Sequence, residues 1–291
     1  MRITFYDSGS TPEGTKLAME QVVKNRPDII IAEHHSAKAE IAANIAEKHK
    51  IVMLTTSATA DSITKNRKYV FRIGYTNSEL GNSLALFAIN KIKASNAMVV
   101  HTSSDLYSNS LSKSWSGRFI ANGGKILKTS EISEELESFK DTIDLIERYR
   151  PQVVFLPVYE SLAIRFINAA TLYGVKDVIY LSGDGWNPIR LQKSIISNSD
   201  SPQLYWASHM NSLKNNWLSL GYDSISTIRQ LFKSVKSGSS SLRISNKLRR
   251  LQSFKGRTGI INFNNSQSPE KSIFIFSKTG SNMKFVKKVG K

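Results

Sequence analysis

The sequence predicts an α/β protein of two lobes, each a mostly parallel sheet flanked by helices. Three observations predict it. Short apolar runs recur along the chain, each followed by a small polar loop and then by apolar residues at helical spacing, the pattern of repeated βα units. At 291 residues the chain is long for one small domain and comfortable for two cores. The stretch DVIYLSGDGWNP (177–188) puts one carboxylate, Asp184, on a glycine-flanked turn straight after an apolar strand. Open sheets of this kind bind ligands beyond the carboxyl ends of their strands, which makes Asp184 the leading ligand contact.

Taken in order, residues 2–6 alternate enough for a strand, and Thr11 then caps a helix with Pro12 at its first position and Leu17, Val22 and Val23 on its apolar face. DIIIAE (28–33) is an unbroken apolar run that predicts a strand buried on both faces. The loop Glu33, His34, His35 leads to Ser36 near the start of a helix, where free N–H groups favour a carboxylate or phosphate. IVMLTT (51–56) ends in Ser57, Ala58 and Thr59, a second cluster of small hydroxyls after a strand. YVFRI (69–73) precedes a helix near 78–93.

The next unit is AMVVH from Ala97, the loop carrying Tyr107, and a helix with Leu111, Trp115 and Phe119 spaced by four, stopped at Gly123 and Gly124. Strand KILK, a helix through Phe139, Ile143 and Ile146, strand QVVFLPV ending at Tyr159, and a helix with Leu162 and Phe166 lead to the Asp184 turn. From 204, LYWAS is a strand that crosses back; a long helix spans 222–235 and a basic one 245–251, and GIINF, SIFIF and MKFVKKV are closing strands. Each polar candidate follows a strand. Each also has a plainer role open to it, since hydroxyls cap helices, tyrosines fill cores and Asp beside Gly forms turns.

Composition narrows the function. Hydrophobic content of 40% is ordinary, and no apolar run approaches the roughly 18–20 residues of a membrane span. The absence of cysteine excludes disulfides, thiolate zinc sites and a cysteine nucleophile, and it suits either redox compartment. Net charge is +17, but residues 241–291 hold twelve Lys or Arg against one acid, Glu270. Lys247, Arg249 and Arg250 fall on a helix and Lys284, Lys287 and Lys288 on a last strand or tail, which reads as a solvated basic face. Nucleic-acid binding is not expected, because no binding motif or interleaved stacking aromatics accompany the charge. GxSxG, GxxxxGK and GxGxxG are all absent, so neither an enzyme nor a cofactor is expected, and adjacent His34 and His35 do not by themselves make a metal site.

The pieces FYDSGSTPE, AEHHSAKAEIAANIAEKHKIVMLTTSAT, YVFRIGYTNSELG, QVVFLPVYESLAIRFINAATLYGV, SGDGWNP and TGIINFN, in that order, resemble the type I periplasmic binding proteins, specifically the branched-chain amino-acid branch serving ABC importers. The resemblance covers nearly the whole chain. It implies lobe 1 from 1–94 and 209–256, lobe 2 from 95–208 and 257–291, a ligand cleft between them, and an extracytoplasmic solute-binding protein that delivers an amino acid or similar small zwitterion to an ABC permease. It implies Ser36, Ser57 and Thr59 for the ligand carboxylate, and Tyr107, Tyr159 and Asp184 for the ammonium. A ligand-sensing receptor, or a degenerate copy acting through its basic surface, is the alternative.

The sequence departs from the family in three places. His34 and His35 stand where small residues are usual, and the segment between LYWAS and GYDSI is short. The family's signal sequence, first strand, lining loop and first helix have no counterpart before FYDSG, and the given start carries no signal pattern. In the doubly wound order that first strand is central, so strands at 2–6 and 28–33 would stand about 10 Å apart without it. Three expectations follow: a longer exported protein, a rearranged first lobe, or a decayed copy.

Overall fold

The structure is a computed structural model describing residues 2–133, 135, 137–196, 201–213 and 216–290. In chain order the elements are α1 (Pro12–Lys24), β1 (Ile29–Ile31), α2 (Ser36–Lys48), β2 (Val52–Thr55), β3 (Val70–Arg72), α3 (Asn77–Phe87), β4 (Asn96–His101), α4 (Leu106–Ala121), β5 (Lys125–Glu131), α5 (Glu137–Tyr149) and β6 (Val153–Phe155). These are followed by α6 (Glu160–Leu172), β7 (Ile179–Ser182), α7 (Pro188–Ser194), β8 (Gln203–Ser208), α8 (Asn216–Leu231), α9 (Ser241–Arg249), β9 (Phe254–Gly256), β10 (Gly259–Ile261), β11 (Ile273–Thr279) and β12 (Asn282–Val289). Caps fix where helices begin. Thr11 accepts from the Gly14 N–H with Pro12 at the first turn of α1, Asp105 accepts from Ser108 at the head of α4, and Asn187 with Pro188 opens α7.

The chain forms two compact units, Met1–Thr76 with Trp217–Lys271, and Asn77–Asn216 with Ser272–Lys291. The first contains a parallel sheet in the order β1-β2-β3 and the antiparallel pair β9-β10. Its core joins Leu54, Phe71 and Ile73 of the sheet region to Leu231, Ile244 and Leu248 of α8 and α9, with Phe71 edge-on to Phe263 at 5.7 Å. The second unit is a sheet in the order β12-β11-β8-β7-β6-β4-β5, parallel from β8 to β5 and antiparallel at β11 and β12. Trp115 stacks on Phe119 at 4.6 Å and on Phe155 at 4.4 Å, joining α4 to β6. Burying aromatics of this size stabilises by about 1.5–3 kcal/mol each.

The division expected from the sequence differs from this one in three places, residues 77–94 and 209–216, which fall in the second unit, and 257–271, which fall in the first. Helix α3 joins the second unit because Gly81 lets it lie against α4: a Cβ there would come within 2.8 Å of Ser114 Cβ and of the Trp115 backbone nitrogen. Residues 257–271 join the first unit, tied to α8 through Asp223.

Three local expectations fail. Residues 2–9 form no strand, and Ile3 and Phe5 are exposed. Instead of a ladder, the segment is held by Lys38, whose ammonium donates to Ser8 Oγ at 3.2 Å and to the Gly9 carbonyl at 2.7 Å. Strand β1 is not buried on both faces. It is an edge strand, paired with β2 alone among the described residues, and Ile31 is 42% exposed. On α1 the buried face runs through Thr15, Ala18, Met19 and Val23, leaving Leu17 outside, because apolar spacing alone cannot say which stripe meets a partner. The segment between LYWAS and GYDSI falls partly outside the described residues, at 214 and 215.

The basic stretch is split between the units. Exposed Lys284, Lys287 and Lys288 lie on β12, and Lys125 and Lys128 on β5, the two edges of the large sheet, where charge discourages further strand pairing.

Asp223 is fully buried on α8 and accepts from the Arg257 and Thr258 N–H groups and the Thr258 hydroxyl, while Lys271 donates to that same hydroxyl. Burial pulls the Lys271 ammonium from 10.5 down to about 8, against the raising effect of Asp223. A lysine with a depressed folded value holds fewer protons than its unfolded form between those two values, so it destabilises the fold less as pH rises through that window. Denaturation of the wild type and of Lys271→Met at pH 7.5 and pH 10.5 should show the wild type gaining about 3 kcal/mol relative to the variant. A constant difference would place the ammonium in solvent.

Candidate functional site

The candidates fall into two sets, one in each unit. In the first unit, Ser36 is the opening residue of α2, with His35 as the N-cap residue, so Ser36 is not itself a cap. It is buried, and its Oγ accepts from the Ala60 N–H at 3.2 Å, fastening the loop after β2 to the start of α2. Its hydroxyl proton is left to donate. Ser57 and Thr59 lie in that loop and are buried. Their hydroxyls, and the N–H groups of Ser57, Ala58 and Thr59, have no hydrogen-bond partner among the described residues. A run of open N–H groups beside a helix start is a concavity suited to an anion.

What holds the loop is Arg72, at the end of β3. Its fully buried guanidinium donates to the Ala58 and Ala60 carbonyls at 2.8 Å each, to Thr64 Oγ1 at 3.1 Å and to Ser268 Oγ at 2.9 Å. A cation bonded to the Ala58 carbonyl polarises the peptide whose N–H belongs to Thr59, making that N–H a stronger donor. Glu33, with a positive φ of 52°, follows β1, pairs with Lys38 at 3.2 Å and leaves its carbonyl to the Thr55 hydroxyl. His34 packs against His35 at 4.1 Å and near Trp217 at 6.1 Å. Burial, then Lys38, lowers the His35 value below the usual histidine range, so His35 is neutral at neutral pH. No group of three metal-ligating side chains occurs among the described residues.

In the second unit, Tyr107 lies in the first turn of α4 after β4, Tyr159 is the N-cap residue of α6 after β6, and Asp184 follows β7. Strands β4, β6 and β7 are adjacent and parallel, so the three residues lie together beyond the carboxyl ends of these strands. The two tyrosines stack at 5.1 Å. The Tyr107 hydroxyl accepts from the Gly185 N–H at 3.1 Å, and burial, then Asp184 and Tyr159, push it well above the ordinary phenol value. It therefore stays protonated.

The Asp184 turn is fixed on both sides. The Gly183 carbonyl accepts from Ala207 of β8 at 3.1 Å and the Gly185 carbonyl from Glu160 of α6 at 3.2 Å, while Trp186 donates its indole N–H to the Val158 carbonyl at 3.0 Å. Asp184 is 9% exposed. Its Oδ2 lies 2.7 Å from Nε2 of His209, and its Oδ1 is buried with no hydrogen-bond partner among the described residues.

Six residues expected from the sequence thus gather as two sets of three. Two more that shape the sets went unnoticed. His209 immediately follows β8, the same position after a strand that marked the others. Arg72 is a charge inside an otherwise apolar strand, which signals a buried partner set.

The chain matches the periplasmic binding protein family over residues 1–277 and belongs to that family, one of solute-binding proteins rather than enzymes. Its fold is the two-lobed type I form. The leucine-binding protein LivK of Thermotoga maritima MSB8 superposes with a TM-score of 0.88 at 22% identity, over 99% of this chain and 87% of that one. The branched-chain amino-acid substrate-binding protein LivJ of Streptococcus pneumoniae, in complex with isoleucine, gives 0.86 at 18% identity, over 100% and 87%. A solute-binding protein of Rhodopseudomonas palustris BisB5, in complex with 3,4-dihydroxybenzoic acid, gives 0.80 at 15% identity, over 99% and 86%. Among curated proteins none matches the sequence. No helix among the described residues is long and apolar enough to cross a membrane.

Two substitutions test the scaffolding. Arg72→Met leaves the Ala58 and Ala60 carbonyls without their donor and should lower stability by roughly 2–3 kcal/mol in a urea titration. Gly183→Ala would put a methyl 2.4 Å from the Tyr107 hydroxyl and 2.6 Å from Leu111 Cδ2. It should destabilise by about 1–3 kcal/mol, whereas Gly117→Ala, at a glycine with open space around it, should not.

Proposed function

We propose that the chain captures an amino acid or similar small zwitterion outside the cytoplasm and passes it, unaltered, to the membrane permease of an ABC importer. The observation that carries the reading is the buried, unpartnered Oδ1 of Asp184. A carboxylate oxygen in that state is a poor neighbour for an uncharged group and a good one for an ammonium. The stacked pair Tyr107 and Tyr159 beside it supplies aromatic surface that also favours a cation.

In the first unit, Ser36, Ser57 and Thr59 offer neutral donors, and the open N–H groups of the loop add to them, a set suited to a carboxylate. A zwitterion carries the two kinds of charge to which the two sets are separately suited. The solved relatives include proteins for leucine and isoleucine, and also one holding 3,4-dihydroxybenzoic acid, which has a carboxylate and no ammonium. Asp184 is what favours the first kind of ligand here.

The test is a thermal-shift panel of amino acids and benzoates. An amino acid at about 100 times its Kd should stabilise the wild type by roughly 2.7 kcal/mol. Asp184→Asn should abolish that shift. A full shift in the variant removes Asp184 from the site, and a response to benzoates alone replaces the amino-acid reading with an aromatic-acid one.

A further inference from the structure

We propose that His209 is a positioning residue for the Asp184 subsite: it engages one carboxylate oxygen so that the other is presented alone to a primary ammonium of the ligand. The proposal rests on the zwitterion reading above. His209 is 1% exposed and stands directly after β8. Its Nε2 is 2.7 Å from Asp184 Oδ2. An ionised carboxylate only accepts, so Nε2 carries the proton, whether the ring is neutral or charged.

The backbone around the pair leaves little freedom. Ala207 donates to the Gly183 carbonyl at 3.1 Å, which locks β8 to the Asp184 turn two residues before His209. Just after it, Ser208 Oγ donates to the Met210 carbonyl at 2.8 Å and accepts from the Met210 N–H at 3.2 Å. The backbone that carries His209 is thereby held on both sides.

A carboxylate with two open oxygens can turn about its last torsion and share a cation between them. With Oδ2 occupied, Oδ1 has one place and one direction. That oxygen is buried and lacks a donor among the described residues, the condition under which a charged donor gains most. Position matters here because a site built around one polar contact rejects an analogue that lacks the matching group. His209 accordingly sets discrimination between a zwitterion and a plain acid, acting through Asp184 rather than by touching the ligand.

The experiment has a structural arm and a binding arm. Crystal structures of unliganded wild type, His209→Gln and His209→Leu are compared for the Asp184 rotamer. Kd values are measured for two pairs differing only in the ammonium, leucine with 4-methylpentanoate and phenylalanine with 3-phenylpropanoate, in these proteins, in Asp184→Asn and in the double variant. Glutamine keeps a donor and should preserve both the rotamer and the discrimination, expected at about 100-fold or more for the better pair. Leucine should release the carboxylate and bring discrimination down to within a few-fold of unity. In the Asp184→Asn background His209→Leu should change nothing further.

The proposal is overturned if His209→Leu keeps both the rotamer and the discrimination, or if its effect persists undiminished without Asp184. Equal binding of both members of each pair by the wild type overturns it together with the zwitterion reading. If none of the four compounds binds the wild type, that reading fails for these ligands, and the crystallographic arm decides His209 separately: an unmoved Asp184 in His209→Leu overturns its positioning role. Should His209→Leu not fold, His209→Ala takes its place in both arms.

Discussion

Close contact between Tyr107 and the backbone of the Asp184 turn is the constraint on which the second unit's site depends. The tyrosine hydroxyl bonds the Gly185 N–H and occupies the space that a Cβ at residue 183 would need, and its ring and hydroxyl would press at 3.2 Å on a Cβ at residue 185. Two glycines therefore flank the aspartate for lack of room; neither has the positive φ that usually calls for glycine. With the backbone held by Tyr107, Ala207 and Glu160, the only freedom left to Asp184 is in its own side chain, and His209 takes up that freedom.

The first unit solves the opposite electrostatic problem with the same economy of parts. There the loop Ser57–Ala60 must hold open N–H groups without collapsing onto them. Arg72 secures the loop through its carbonyls, and Ser36 secures it through the Ala60 N–H, so the remaining donors stay unspent. In each unit a buried ionisable side chain lies one step behind the candidate contacts, a guanidinium behind neutral donors and an imidazole behind a carboxylate. Burial is what makes these contributions large, since the same groups in water would be screened.

Much of this was legible in the sequence because strand order and helix starts are local. The runs at 51–56, 97–101, 152–158 and 177–182 each gave a strand, and the residues directly after them gave Ser57, Thr59, Tyr107, Tyr159 and Asp184. The errors arose where an element's fate depends on what lies beside it. Residues 2–6 have strand composition, but composition supplies no hydrogen-bonding neighbour. The run at 28–33 is apolar throughout, yet β1 ends as an edge with Ile31 exposed. Helix α3 reads as a continuation of the first unit until Gly81 shows how closely it meets α4. His209 was missed because its partner is twenty-five positions away, a pairing only the parallel neighbours β7 and β8 create.

The net charge of +17 looks at first to contradict the ammonium contact proposed for Asp184. It does not, because sign at a distance and sign at contact are separate quantities. Lys284, Lys287 and Lys288 stand in solvent on β12, and Lys247 and Arg250 are exposed around the end of α9. Such charges fade within about 8 Å at physiological salt. The Asp184 carboxylate is withdrawn from that screening, with one oxygen tied and one open. A diffusing amino acid has no net charge for the surface lysines to repel, and a dipolar ligand gains energy only from a difference in potential between its two ends, which screened surface charges supply weakly. On the proposed reading, discrimination between a zwitterion and a simple anion is set by a few buried groups, however basic the surface around them.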